Sequence, residues 1–222
     1  MARHPSAVDP ASDTAPAGRL EVSFVTSAPD PERCPPPAGP EVAVAGRSNA
    51  GKSSVLNRLT GSRQTAKVSK TPGRTQLLNF FDVHRVNGAP CLGRLVDLPG
   101  YGYAKANRAA QARWQAAVNR FLSERLSLRA LVLVMDIRHP LQAFDVELIE
   151  WAAASHLPLL VLLNKADKLK FGAQQRTRNQ VIRALEAIPD ARVETFSATR
   201  GQNTAAVLQC LHEWLCDPER PQ

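Results

Sequence analysis

The segment Gly46-Arg47-Ser48-Asn49-Ala50-Gly51-Lys52-Ser53 constrains this chain more than any other. It is a G-x-x-x-x-G-K-S run set between an apolar stretch, Val42–Ala45, and a helical one, Lys52 to about Thr60. Glycines let consecutive backbone N–H groups turn inward and come close to phosphate oxygens. Lys52 can place a positive charge on β- and γ-phosphates, and Ser53 can offer a hydroxyl to Mg²⁺. The helix that starts here turns its positive dipole end toward the anion, and Gly61 is suited to cap its far end.

The rest of the chain repeats the same alternation. Apolar runs of strand length recur at Leu77–Val83, Leu92–Val96, Ala130–Met135, Leu159–Leu163 and Arg192–Phe196. Helical patterns lie between or after them, at Ala109–Leu126, Asp145–Ala154, Gln174–Ala187 and Asn203–Leu215. A run such as Ala130–Met135, with no polar alternation, suits a strand buried on both faces. Together these features predict an open α/β fold: a mostly parallel six-stranded sheet with helices on both faces and ligands at the carboxyl ends of the strands. Leu20–Thr26 reads as a short strand preceding this unit, and Pro29–Pro40 as an extended connection. Residues 1–19, rich in Ala, Pro, Ser and Asp, are expected to form a disordered tail before a domain spanning 20–216, with 217–222 as a C-terminal tail.

Three further segments fall where such a sheet puts its site. Asp97-Leu98-Pro99-Gly100 follows a strand; its carboxylate suits the Mg²⁺ shell, through water, and the Gly100 N–H suits a γ-phosphate. Asn164-Lys165-Ala166-Asp167 follows another. Asp167 can accept from N1–H and the exocyclic amine of guanine, a donor pair that adenine lacks, so an ATPase is disfavoured. The Lys165 stem can lie along the base, and Asn164 can tie this loop to the phosphate loop. After the last strand, Phe196-Ser197-Ala198 can offer a backbone N–H to guanine O6. The turn-rich stretch Ser69–Gln76 is where a mobile loop would carry a threonine, Thr71 or Thr75, to Mg²⁺. The ligand expected is therefore GTP or GDP, with Mg²⁺, in a Ras-like P-loop GTPase domain.

The net charge of +8 calls for a polyanionic partner, either nucleic acid or an anionic membrane. No apolar run is long enough to span a bilayer and no secretory h-region opens the chain, so membrane insertion is not expected and the cytoplasm is the expected location. Cys34, Cys91, Cys210 and Cys216 fit neither a disulfide framework nor a CxxC pair. Cys210, His212 and Cys216 read more simply as positions on a C-terminal helix than as metal ligands.

The phosphate loop, the stretch Lys70–Phe81 and the stretch Asp97-Leu98-Pro99-Gly100-Tyr101-Gly102-Tyr103-Ala104 closely resemble the bacterial EngB proteins, from about Val22 to Trp214. The resemblance implies GTP hydrolysis, a role in assembly of the large ribosomal subunit through its rRNA and proteins, and a need for the protein in normal division and septation. By match to the family motif, Ser53 and Thr75 would be the Mg²⁺ ligands. Gly73, Arg74, Thr75, Gln76 and Leu77, with the segments 97–100, 164–167 and 196–198, would contact nucleotide, with Lys52, Thr75 and Gly100 closest to the chemistry. A monomer is expected. Tyr101 stands where many GTPases have a glutamine that orients water, so slow intrinsic hydrolysis is expected, helped by ribosomal particles or by K⁺ at Asn49. Arg63, Lys67, Lys70, Arg74, Lys105 and Arg108 flank the expected switch loops and could meet rRNA. The competing reading is a nucleotide-regulated binding module of the division machinery with incidental hydrolysis.

Overall fold

The structure, a computed structural model, describes residues 19–61, 77–84, 91–101 and 108–216. Seven strands and five helices follow one another as β1 (Glu21–Ala28), β2 (Glu41–Gly46), α1 (Lys52–Thr60), β3 (Leu78–His84), β4 (Cys91–Asp97), α2 (Arg108–Glu124), β5 (Leu128–Asp136), α3 (Ala143–Ala154), β6 (Leu159–Asn164), α4 (Phe171–Ala184), β7 (Arg192–Thr195) and α5 (Thr204–Cys216). They build one sheet in the order β1-β3-β4-β2-β5-β6-β7. Strand β2 lies parallel to β4 and β5, and β6 lies parallel to β5 and β7. Strand β3 runs antiparallel to both β1 and β4.

The sheet thus has seven strands rather than the six expected. The added one is β1, which pairs with β3 from Glu21↔His84 to Ala28↔Leu78. It covers the edge that β3 would otherwise expose and becomes the outer strand of the sheet in its place.

Alternation along the strands sorts the core into two layers. Ala43, Ala45, Leu131, Leu133, Val161 and Leu163 face α2, α3 and α4, against Val118, Phe121, Leu148, Ile149 and Val181. Val42, Val44, Val132, Val134 and Leu162 face α1 and α5, against Leu56, Leu59, Leu208, Leu211 and Trp214. Burial of successive side chains on opposite faces is why these strands are apolar throughout.

The proline-rich connection is fastened rather than merely extended. It opens with a single 3₁₀ turn, Pro31–Arg33. The Arg125 guanidinium donates to both carboxylate oxygens of Glu41, at 2.7 Å each, and to the carbonyl of Pro35. Arg94 donates to Asp82 and to the carbonyl of Pro36. Glu41 is fully buried, so the two arginines near it hold a charge that would be costly alone. This ionic cluster sits where the parallel strands begin, and the nucleotide motifs sit where they end.

Candidate nucleotide site

The phosphate loop joins β2 to α1, as its sequence requires. Gly51 precedes α1 with φ +95°, and Gly61 follows it with φ +64°, both left-handed and suited to glycine. A Cβ on Gly51 would lie 2.3 Å from Asn164 Nδ2, so loop and neighbour meet at a distance only glycine allows. Asn49 also takes a left-handed φ, +68°, and this tight backbone is one place where the fold holds strain.

Two strand ends, those of β4 and β6, converge on this loop. From β4, Asp97 accepts from Lys52 Nζ, and Asn79 Nδ2 lies 3.4 Å from its other oxygen. Both charged groups are almost fully enclosed. Lysine has three donors, and Asp97 takes one, which leaves the ammonium able to meet phosphate oxygens as well. Leu98 is anchored by its amide to the carbonyl of Val44, and its side chain is core. Pro99 is buried too. The Gly100 backbone lies against Gly46 and Ser48, and the Ser48 amide donates 2.7 Å to the carbonyl of Tyr101. From β6, Asn164 Nδ2 donates to the carbonyl of Ala50 at 2.9 Å, and its Oδ1 accepts from the Ala198 amide at 3.3 Å. Lys165, at φ +65°, donates to the carbonyl of Asn49 at 2.6 Å. Arg47 and Asn49 are exposed, whereas Ala50 is buried.

Asp167 accepts from Ser197 Oγ at 2.6 Å and lies 3.1 Å from Lys168 Nζ. The Ser197 hydrogen bond first, and Lys168 next, hold its carboxyl below the usual range. It therefore presents an ionised, acceptor-only group, the form that matches guanine's two adjacent donors. Ala166 and Phe196 are fully buried and act through the backbone: the Ala166 amide donates to the Phe196 carbonyl at 3.0 Å. Leu77 is half-buried just before β3. Gly73, Arg74, Thr75 and Gln76 lie outside the described residues, as do Thr71, Arg63, Lys67, Lys70 and Lys105.

Mg²⁺ is a hard cation that takes oxygen donors. The Ser53 hydroxyl in the first turn of α1 and the enclosed Asp97 carboxylate, beside Lys52, would supply such oxygen donors. Bound there, the ion would neutralise charge on the β- and γ-phosphates.

The structure adds residues that sequence reasoning missed. Arg58, on α1, donates to the carbonyls of Ala198 and Thr199 at 2.8 Å each and so clamps the loop after β7. Asp136, which ends β5, accepts from Lys165 at 2.9 Å and from Arg138. Burial pushes its carboxyl upward, but the Arg138 and Lys165 hydrogen bonds outweigh that and leave it well below the usual range. Asp136 had a readable signal, a lone carboxylate ending an apolar strand; Arg58 had none. Tyr101 is buried, its phenol donates to Asp145 at the head of α3, and its ring lies 4.4 Å from that of Phe144. Burial first, then the Asp145 charge, pushes its pKa far up, so it stays a neutral donor. At the C-terminus, Cys210 is buried against the sheet, and Cys216 Sγ lies 3.3 Å from His212 Nε2.

A phosphate loop between β2 and α1, an aspartate paired to its lysine, and an Asn-Lys-x-Asp loop on the next strand ends define a P-loop GTPase. The sequence model of the family described as "50S ribosome-binding GTPase" matches residues 41–165. A Tolumonas auensis protein named "Probable GTP-binding protein EngB" is 50% identical over 202 residues, covering 90% of this chain and 92% of its own. An Enterobacter protein of the same name is 49% identical over 195 residues, covering 87% and 91%. The chain belongs to the EngB family of GTP-binding proteins. Among solved structures, a probable GTP-binding protein engB matches with TM-score 0.63 and 24% identity over 79% of this chain and 98% of its own. Era in complex with MgGDPNP and a segment of 16S ribosomal RNA matches with TM-score 0.60 and 21% identity over 83% of this chain and 59% of its own. These two likenesses concern the fold. Among the described residues no helix is long and apolar enough to cross a membrane.

Proposed function

We propose that this protein is a GTP-dependent switch in assembly of the large ribosomal subunit, acting as a monomer in the cytoplasm and needed for normal division and septation. The observation that carries the reading is the match to the 50S ribosome-binding GTPase family across 41–165, which takes in both the phosphate loop and Asn164-Lys165. The net charge of +8 supports an rRNA-rich partner. The working unit is residues 20–216. Ser53 and Thr75 hold Mg²⁺, Lys52 and the Gly100 amide meet the transferred phosphate, and Asp97 acts through water. The segments 46–53, 73–77, 97–100, 164–167 and 196–198 form the nucleotide contact set.

Intrinsic hydrolysis is slow, because the one side chain at the water-orienting position, Tyr101, is buried and committed to Asp145. Ribosomal particles, or K⁺ at Asn49, supply the missing help. Two experiments test this. The protein should co-sediment with large-subunit precursors more tightly in the GTP state than in GDP, and release them at high salt. Turnover should be faster in K⁺ than in Na⁺, with the difference abolished by Asn49→Ala; equal rates would remove the cation. Salt-resistant binding to a septal protein without RNA would instead make the protein a division-machinery module.

A further inference from the structure

Helix α4 carries charge of one sign. From Lys168 to Leu185 the chain contains Lys168, Lys170, Arg176, Arg178 and Arg183 and no Asp or Glu. Arg178 is turned inward and donates to the Val193 carbonyl at 3.1 Å, which leaves it a structural residue. The others are exposed, and among the described residues no carboxylate pairs with Lys170, Arg176 or Arg183. Arg176 and Arg183 are seven positions apart and therefore share the solvent face, roughly 10 Å apart along the axis. At the head of the helix Phe171 is 75% exposed. A large aromatic left in solvent beside unpaired cations is a poor arrangement for a merely solvated helix. It is the combination that RNA recognition uses: cations for phosphates and a ring for an unpaired base.

We infer that the exposed surface of α4 is an RNA-docking surface, with Arg176 and Arg183 on phosphates along the helix, and Lys170 on a phosphate and Phe171 stacked on an unpaired base at its N-terminal end. The inference rests on the ribosomal reading above and adds to it a surface distinct from the loops around the γ-phosphate. Its place in the fold gives it a defined relation to the nucleotide. Gln174, in the first turns of α4, donates to the carbonyls of Ala166 and Leu169 at 2.9 and 3.0 Å. The helix is thus bolted to the loop that reads the base, which GTP and GDP share, and not to the phosphate loop. Docking through α4 is therefore the same in both nucleotide states, a standing anchor to which the switch loops add the GTP-dependent part.

The test uses the full chain with Lys170→Glu, Arg176→Glu and Arg183→Glu combined, and separately Phe171→Ala. Binding is measured to protein-free large-subunit rRNA and to large-subunit precursor particles, in GDP and in a GTP analogue, across a salt series. GTP affinity serves as the folding control. The triple variant should keep wild-type GTP affinity and lose at least tenfold in RNA affinity in both nucleotide states. Its log K against log salt slope should flatten by about 2 to 3, the value for three lost phosphate contacts. Phe171→Ala should lose about fivefold or more with the slope unchanged. RNA and particle binding like wild type in the triple variant overturns this surface and leaves the ribosomal reading standing. So does unchanged RNA binding alongside lost binding to phosphatidylglycerol vesicles, which would make α4 a lipid contact. A wild-type protein that binds neither RNA nor particles in any nucleotide state overturns both.

Discussion

The phenol of Tyr101 donates to the carboxylate of Asp145, whose other oxygen accepts from the Gln142 amide and closes the N-terminus of α3. The chain just after Gly100 is thereby pinned at two points, through this side chain and through the Tyr101 carbonyl that accepts from Ser48. Tyr101→Phe should leave a buried carboxylate short of a partner and cost about 1–3 kcal/mol, seen as a melting point several degrees lower. Turnover in the folded protein should change less than threefold, because the phenol faces α3; a hundredfold loss would return Tyr101 to the chemistry. Burial first, opposed by its hydrogen bonds, raises the Asp145 pKa. A group raised in the folded state contributes stability that is present below its unfolded pKa, about 3.9, and is lost as pH rises through the folded value. Asp145→Asn should remove that part of the pH dependence, measured as urea midpoints on both sides of this range.

Asp167→Asn replaces two acceptor oxygens with an acceptor and a donor. GTP and GDP affinity should both fall, by about 10- to 100-fold or more. Xanthosine triphosphate, which presents a carbonyl where guanine has its amine, should gain. Competition titration reads both, and retained guanine preference would mean that another group reads the base.

Gly51→Ala puts a methyl 2.3 Å from Asn164 Nδ2 at a φ of +95°. Loop and base motif must then separate. Nucleotide affinity should drop below detection by calorimetry, while far-ultraviolet circular dichroism still reports a folded chain.

Arg58→Ala removes two hydrogen bonds to the carbonyls of Ala198 and Thr199. Arg58 lies outside the proposed contact set and holds the loop that contains Ala198, so it acts by positioning. GTP and GDP affinity should fall together by about tenfold, with faster amide exchange confined to the loop around Ser197. A loss for GTP alone would assign Arg58 to the phosphates instead.

Much of this was readable in one dimension. The phosphate loop, Asp97 and Asn164–Asp167 each stand at the end of an apolar run, and period and position sufficed to place them. The strand count was not readable, because whether Glu21–Ala28 joins the sheet depends on the edge that β3 offers it. The direction of Tyr101 was not readable either: its partner Asp145 lies 44 positions away. Arg58 and Ala198 are separated by 140 positions.

By itself the sequence determined the α/β alternation and the phosphate loop, and it pointed to guanine through Asp167, because each reading rests on neighbours within a few residues. Only the tertiary structure decided that Lys52 pairs with Asp97, that Lys165 holds the carbonyl of Asn49, and that Tyr101 is withdrawn into the helical layer, whereas the tie from Asn164 to the phosphate loop was expected from the sequence. Those relations join groups that are distant in the chain. Directional hydrogen bonds and the exclusion of water choose such partners only once the sheet has brought its strand ends together.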